Sequence, residues 1–99
     1  MTDIKELVIY TVKEENTAQI PRVQSLVKNC VQKMQGFVDL TCLQSCTETR
    51  QLADLLTWQS LDQALQAQKA FEEQSDFPEL ITYLDEIKFS HHFKVTIKS

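Results

Sequence analysis

The side chains best suited to chemistry in this 99-residue chain begin with an adjacent pair of histidines, His91 and His92. The segment around them alternates in the manner of a β-strand, so the two rings are predicted to point to opposite faces of a sheet. Imidazole is the usual side chain for proton transfer near neutral pH. His91 alternates with Phe89 and Phe93 and is expected to be the more interior ring. It is a candidate catalytic base, or else a hydrogen-bonded histidine of the core or of an interface.

Tyr10 and Trp58 place polar groups on otherwise apolar strands. Tyr10 alternates with Val8 and Val12, so its phenol either hydrogen-bonds a ligand carbonyl or fills a core or interface. Trp58 lies at the end of a strand ahead of a helix. An indole there can stack on a flat aromatic ligand and donate one N–H, or it can be core filling. Tyr10 is a candidate catalytic residue and Trp58 a candidate substrate-binding residue.

Two acids lie inside predicted strands, where acids are depleted. Asp39 and Asp54 are each expected to face solvent or to pair with a basic residue. The alternative is that the two carboxyl groups lie together and serve in acid–base catalysis. The three cysteines are too few for a complete disulfide framework and form no CxxC, so reduced thiols and no metal site are expected. A single glycine excludes a glycine-rich phosphate-binding loop.

The composition argues against several classes of binding partner. The formal net charge is −4 with no cluster of Lys and Arg, which argues against nucleic acid and against an anionic membrane surface. No run of ~18 apolar residues is present, so no membrane span is expected. The N-terminal residues lack the basic start and apolar stretch of a signal peptide, and we expect a cytoplasmic protein.

Hydrophobic periodicity predicts the elements that must position these side chains. Alternation and β-branched or aromatic content predict four strands, whereas apolar stripes at helical spacing predict three helices. Gly36 fits the residue after a helix, and Ser60 with Gln63 has the spacing of a capping box. In chain order the predicted elements are strand 4–13, helix 17–35, strands 37–46 and 51–59, helices 61–73 and 77–85, and strand 87–97.

This order predicts one domain, residues 1–99, of the α+β class. The expected fold is a ferredoxin-like βαββαβ unit with a four-stranded antiparallel sheet and helices on one face. Each helix has a single apolar stripe and therefore covers one side of the sheet only. Because the strands also carry apolar residues on their other side, we expect a homodimer with two sheets stacked face to face.

One segment carries a resemblance to a known family. The residues Trp58-Gln59-Ser60-Leu61-Asp62-Gln63-Ala64 resemble the W-x-S-x-x-x-A segment of the antibiotic-biosynthesis monooxygenase family of dimeric α+β barrels. Met34-Gln35-Gly36-Phe37 resembles the glycine entry to that family's second strand, and the element order matches over nearly the whole chain.

The resemblance implies a cofactor-independent oxygenase that binds an aromatic or phenolic substrate between sheet and helices. On this expectation Trp58, Gln68 and Phe71 contact the substrate, His91 or Tyr10 assists its deprotonation, and no cofactor is bound. The family's haem-degrading branch has a histidine where this chain has Gln68, and an amide does not ligate haem iron as imidazole does. The alternative is a non-catalytic domain on the same dimeric scaffold that binds a small ligand or a partner.

Overall fold

The computed structural model describes residues 3–99. Its helices lie where the apolar stripes predict them, and its strands lie where alternation predicts them. The first and last residues of these elements differ from the predicted ones. The strands are β1 (Ile4–Val12), β2 (Phe37–Gln44), β3 (Gln51–Trp58) and β4 (Leu84–Lys94), and the helices are α1 (Ile20–Val31), α2 (Leu61–Phe71) and α3 (Phe77–Tyr83). A short 3-10 helix, Glu14–Gln19, precedes α1.

The four strands form one antiparallel sheet in the order β2-β3-β1-β4. This is the predicted ferredoxin-like arrangement, in which each strand–helix–strand crossover steps over one neighbouring strand. The central strands β1 and β3 pair over their full length, with Val8 opposite Asp54 and Tyr10 opposite Leu52. Directly opposed residues share a sheet face, so this register decides which side chains can meet.

Every predicted element ends one to four residues earlier in the structure, and two elements, α1 and β4, differ from the prediction by three or more residues at both ends. Helix α1 begins at Ile20 and not near Thr17, whose hydroxyl donates to the Glu14 carbonyl at 2.8 Å within the 3-10 turn and so does not cap the helix. Pro21 stands in the first turn, where its missing N–H costs no hydrogen bond. The last strand begins at Leu84 and ends at Lys94, so Val95 and Ile97 lie beyond it.

Strand β4 contains two irregularities in its pairing with β1. Ile9 is opposite Phe89 but Tyr10 is opposite Ile87, and the register shifts again between Thr11 and Val12. Each shift leaves one extra residue on β4, which is the definition of a β-bulge. Side chains between the two bulges, including that of Ile87, therefore point to the opposite face from the one that regular alternation predicts, and the regular alternation resumes beyond the bulges.

The core lies between the helices and one face of the sheet. Its larger part joins β1 and β3 to α1 and α3, and its smaller part packs α2 against the end of β3. The two buried clusters comprise Tyr10, Val12, Ile20, Val23, Leu26, Val27, Leu52 and Leu80, and Val31, Leu56, Trp58, Ala64 and Ala67. Arg22 of α1 donates to both carboxylate oxygens of Glu79 at 2.7 and 2.8 Å, which fixes α3 on α1.

The other sheet face carries no helix within residues 3–99. We call it the open face. Side chains on this side, by register, include Leu7, Ile9, Leu43, Leu55, Phe89, His91 and Phe93. Leu43, Leu55 and Phe93 are 46%, 36% and 46% exposed. The molecule is only 18 Å thick along its shortest axis, as expected of one sheet and one layer of helices.

Gly36 joins α1 to β2 in a conformation that favours glycine. Its φ is +88°, and its carbonyl accepts a hydrogen bond from the Gln59 N–H at 2.9 Å. A Cβ at this position would lie 2.5–2.6 Å from the side chain of Gln63. Gln63 is held by Ser60, whose Oγ accepts from its N–H at 3.2 Å and donates to its Oε1 at 3.2 Å. The predicted helix stop and the predicted cap of α2 therefore meet in space.

We expect Gly36→Ala to destabilise the fold by about 1–2 kcal/mol, because an L-residue with positive φ costs about that much. Displacement of Gln63 adds to the cost, since it weakens the Ser60 cap. Urea unfolding of both proteins at pH 7 measures the difference. Ala70→Gly, a glycine substitution on a helix that keeps these contacts, is a control of known sign. An unchanged midpoint for Gly36→Ala would contradict this account.

Candidate functional site

A cavity of about 280 Å³ lies between the sheet and the helices. Buried side chains form its floor, among them Glu6 and Tyr10 of β1 and Asp54, Leu56 and Trp58 of β3. Exposed side chains form its rim, which lies where α2 and α3 approach the edge strand β4. The rim includes Gln68, Glu72, Ile81, Ile87 and Ser90. The cavity thus runs from solvent at the β4 edge to polar groups on the two central strands.

Glu6 connects the tryptophan to a histidine. The Trp58 indole N–H donates to Glu6 Oε1 at 2.9 Å, and His92 Nε2 lies 3.6 Å from Glu6 Oε2. All three sit on the helix-facing side of the sheet, because Ile4 is opposite Trp58 and Glu6 is opposite His92. Phe37 packs edge-to-face on Trp58 with ring centroids 5.9 Å apart. The indole is therefore fixed on one edge by a carboxylate and on another side by a ring.

Asp54 and Tyr10 form the second polar group of the floor. They are 4% and 3% exposed. Neither Asp54 Oδ1 nor the Tyr10 hydroxyl has a hydrogen-bond partner among residues 3–99. Cys42 lies directly opposite Asp54 on β2. Buried polar atoms are nearly always paired in folded proteins, so two unpaired atoms on the floor of one cavity are unusual. The Tyr10 hydroxyl lies near enough to Asp54 to affect the pKa of its carboxyl, and a ligand that bonds Asp54 Oδ1 or that hydroxyl would supply the missing hydrogen bond.

Burial dominates the electrostatics of this group. It raises the pKa of Asp54 from 3.8 to about 6, while the nearby Tyr10 hydroxyl and Cys42 thiol oppose that shift. Burial, reinforced by the Asp54 carboxylate, raises the pKa of Tyr10 far above its ordinary value, so this phenol stays protonated. The same two causes raise the pKa of the Cys42 thiol to about 11. Asp54 is the member of the group that exchanges a proton near neutral pH.

Four of the five predicted site residues lie around this cavity. Tyr10 and Trp58 are on its floor, Phe71 lines its α2 side, and Gln68 stands at its rim. Their roles toward a substrate remain predictions. The four converge because α2 crosses the helix-facing side of β1 and β3.

The expected interior position of His91 is wrong. His91 is exposed on the open face and does not line the cavity, and His92 is the ring that faces inward. Alternation correctly placed His91 on the same side as Phe89, whose ring centroid is 4.6 Å away, and Phe93. The error lay in taking this aromatic side for the core. On the edge strand the helix-facing positions are polar instead, because the cavity opens there.

The sequence reasoning missed Glu6 and expected Asp54 to face solvent or a basic residue. Both acids are buried, at 8% and 4% exposure, whereas Asp39 is exposed as expected. A signal was available in each case. Glu6 alternates with Val8 and Tyr10, and Asp54 alternates with Leu52 and Leu56, so each acid interrupts an apolar strand face.

Residues 3–99 contain no group of three or more His, Cys, Asp and Glu side chains arranged to hold a metal ion. Cys30, Cys42 and Cys46 are free thiols. No helix in the same range has the length and apolar content needed to cross a membrane.

Comparison with solved structures gives close matches in fold. A protein named as a putative antibiotic biosynthesis monooxygenase, from Bordetella bronchiseptica, superposes with a TM-score of 0.78 at 15% identity, over 98% of this chain and 100% of the other. SnoaB, a cofactor-independent oxygenase from Streptomyces nogalater, superposes with a TM-score of 0.70 at 19% identity, over 100% and 96% of the two chains. The chain has the antibiotic biosynthesis monooxygenase fold. The family resemblance predicted from the Trp58 segment is confirmed at this level.

Another solved structure with this fold is described only as a conserved protein. A conserved protein from Methanosarcina mazei Go1 superposes with a TM-score of 0.65 at 21% identity, over 99% of this chain and 95% of the other. No protein-family model matches the sequence, and no curated protein matches it. Function therefore has to be argued from the cavity and its residues, since one fold supports many activities.

Proposed function

We propose that this chain is a small-molecule enzyme of the cofactor-independent monooxygenase type that acts on a phenolic aromatic substrate in the cavity. The observation that carries the proposal is the buried Asp54 carboxyl beside the buried Tyr10 hydroxyl on the cavity floor, because neither Asp54 Oδ1 nor that hydroxyl has a hydrogen-bond partner among residues 3–99, whereas the other floor acid, Glu6, is bonded to Trp58. A buried carboxyl with a raised pKa is a common acid–base catalyst. The fold it shares with SnoaB supports the same reaction class.

In the proposed reaction the Asp54 carboxylate takes the proton of the substrate hydroxyl, and the resulting phenolate gains carbanion character on its ring. That carbon forms a C–O bond to O₂, and the proton completes a hydroperoxide. The carboxylate then removes the remaining hydrogen of that carbon as a proton, the electrons of the broken C–H bond form the new C=O bond, and the O–O bond breaks. The hydroxide that leaves takes up the proton as water, and a quinone remains. One O₂ is consumed per quinone formed: the substrate is oxidised, one oxygen atom is retained as a carbonyl and the other leaves as water.

The remaining floor residues have distinct parts in this proposal. Tyr10 stays protonated, so it donates a hydrogen bond to the substrate oxygen and does not act as a base. Trp58, held by Glu6, provides a flat wall against which an aromatic ring can stack. The raised pKa of Asp54 brings its proton affinity closer to that of a phenol than an exposed carboxyl would be. His91 is not used, because it lies on the other side of the sheet.

Oxygen uptake with 1,5-dihydroxynaphthalene as a probe substrate tests the proposal, with the quinone followed by absorbance. We expect Asp54→Asn to lower the rate about 100-fold and Tyr10→Phe about ten-fold, since general base catalysis contributes about 10²–10⁴. Asp39→Asn, an acid-to-amide change at an exposed strand position, should have no effect. Equal rates for wild type and Asp54→Asn would rule out the assigned base.

The alternative function, non-catalytic binding of a small ligand, predicts saturable binding without oxygen uptake. The raised pKa of the buried Asp54 carboxyl favours an enzyme over this alternative, because binding alone does not require a group that exchanges a proton near neutral pH. A sealed core beside Trp58 would suit a structural domain, whereas here a cavity open to solvent reaches unpaired polar groups.

A further inference from the structure

The charge balance of the cavity is one-sided. Among residues 3–99, three carboxyl groups line it, those of Glu6 and Asp54 on the floor and that of Glu72 at the rim, and no Lys or Arg of this range lines it. The basic group that reaches a floor carboxyl is His92, which lies 3.6 Å from Glu6 Oε2. Asp54 has no such partner among residues 3–99. A negatively charged ligand would therefore meet uncompensated negative charge in a poorly solvated site.

The unpaired atoms specify what a ligand must offer in return. Asp54 is 4% exposed, and its Oδ1 accepts hydrogen bonds when the carboxyl is ionised. An O–H or N–H donor on the ligand would satisfy it, and the Tyr10 hydroxyl can bond the same group. A site built to hydrogen-bond a ligand discriminates strongly against an analogue that leaves its buried groups unpaired.

The volume of the cavity and the aromatic side chains of its walls determine the size and shape of the ligand that fits. A volume of about 280 Å³ is equivalent to about nine water molecules at ~30 Å³ each and lies at the lower limit for drug-sized ligands. Aromatic rings from Trp58, Phe71 and Phe77 line the walls, and Phe71 and Phe77 pack edge-to-face at 5.8 Å. Such walls bind flat rings and also stabilise cations.

We propose that the cavity selects a one- or two-ring aromatic ligand that carries an uncharged or cationic hydrogen-bond donor for Asp54, and that it rejects anionic analogues. This inference names the substrate class of the proposed enzyme and rests on the same cavity. It concerns binding, so it can be tested without turnover. The charge selectivity resides in Asp54 at the floor, and Glu72 at the rim adds to it through solvent.

Three probes of matched shape test the selectivity: 2-naphthol, 2-naphthylmethylamine as its ammonium ion, and 2-naphthoate. Binding is measured by calorimetry and by the NMR signal of the indole N–H of Trp58, the one tryptophan of the chain. At pH 7.5 we expect the naphthol and the ammonium ion to bind at least ten-fold more tightly than naphthoate. An affinity for naphthoate within three-fold of the affinity for naphthol would overturn the inference, and so would a failure of all three probes to bind.

Substitutions test which residue is responsible for the charge selectivity. Asp54→Asn should weaken the ammonium ion at least ten-fold and bring naphthoate to within about three-fold of naphthol, whereas the exposed control Asp39→Asn should leave all three affinities unchanged. Tyr10→Phe should weaken naphthol and keep the order of charge preference. Unaltered discrimination in Asp54→Asn would refute the role of Asp54. If the probes bind as expected and oxygen uptake is absent, the proposed reaction fails and the ligand class stands.

Discussion

Replacing Asp54 with Asn should stabilise the protein by up to about 3 kcal/mol at pH 7–8 and by little at pH 4. The pKa of Asp54 rises from 3.8 to about 6 on folding, and at about 1.4 kcal/mol per pKa unit this corresponds to a cost of about 3 kcal/mol once the group is ionised. The cost arises because the folded protein holds this carboxylate away from water. An amide of nearly the same shape removes the charge.

The direction of the pH dependence follows from the raised pKa. Below pH 3.8 the carboxyl is protonated in both folded and unfolded chains, and its ionisation contributes nothing. As the pH rises from about 4 to about 6, the unfolded chain ionises first, so the folded state loses stability. Above pH 6 the loss is complete. The wild-type protein should therefore gain stability from Asp54 on mild acidification, while other groups set the rest of its pH profile.

Urea unfolding of wild type and Asp54→Asn between pH 4 and pH 8 measures the effect. A gain of about 3 kcal/mol corresponds to a rise in Tm of roughly 10–20 °C for a domain of this size. Asp62→Asn is the control, since Asp62 is an exposed acid on α2, away from the open face. A gain of the same size at pH 4 and pH 8, or a loss at pH 8, would show that the buried charge is not its origin. With the expected loss of activity, this would be a trade of stability for function.

The second large effect concerns the open face, which we propose is covered by a second copy of the chain. Leu55 lies on the central strand β3, opposite Leu7 and Thr41. On edge strand β4, Phe89 and Phe93 stack with centroids 6.2 Å apart beside His91. Four strands at ~4.8 Å spacing and ~30 Å length give a footprint of about 600 Å². Two such faces reach the lower end of stable interfaces, about 1,200 Å².

Leu55→Lys should therefore raise the dimer dissociation constant by a factor of at least 1,000, because symmetry places two charges in one apolar interface. Sedimentation velocity from 1 to 100 μM measures it, with wild type expected to be dimeric throughout. Leu65→Lys is the control, since Leu65 is 42% exposed on α2, away from the open face. A monomeric wild type at 100 μM, or a Leu65→Lys variant that dissociates equally, would contradict a face-to-face dimer.

The sequence predicted the architecture well because the fold depends on periodicity and turn chemistry. The stripe of α1, the glycine at 36 and the Ser60–Gln63 cap are local patterns, and each is present in the structure. The start of α1 was less predictable. Asn16 and Thr17 are good capping residues by type, but the chain uses this stretch for a 3-10 turn ahead of Pro21.

The candidate site was predicted only in part, because it depends on which apolar face is the core. Tyr10 and Trp58 were found from their strand positions alone. Asp54 and Glu6 each interrupt an apolar strand face in the sequence, but only the placement of the neighbouring strands and helices shows that this face is the buried one. His91 and His92 were interchanged for the same reason: two adjacent residues of a strand differ only in which layer each one faces.

The paired bulges of β4 have a consequence for how this strand can vary. Each extra residue reverses which face the following side chains point to, so the two together restore the original alternation, and only Glu86 and Ile87 between them are reversed. Deleting one of the extra residues, Asp85 or Lys88, would remove its bulge and leave the other pairings in place, including those of the two histidines. Changes of one residue in the length of this strand should therefore be tolerated at these two points, and alignments of related chains should place single gaps there.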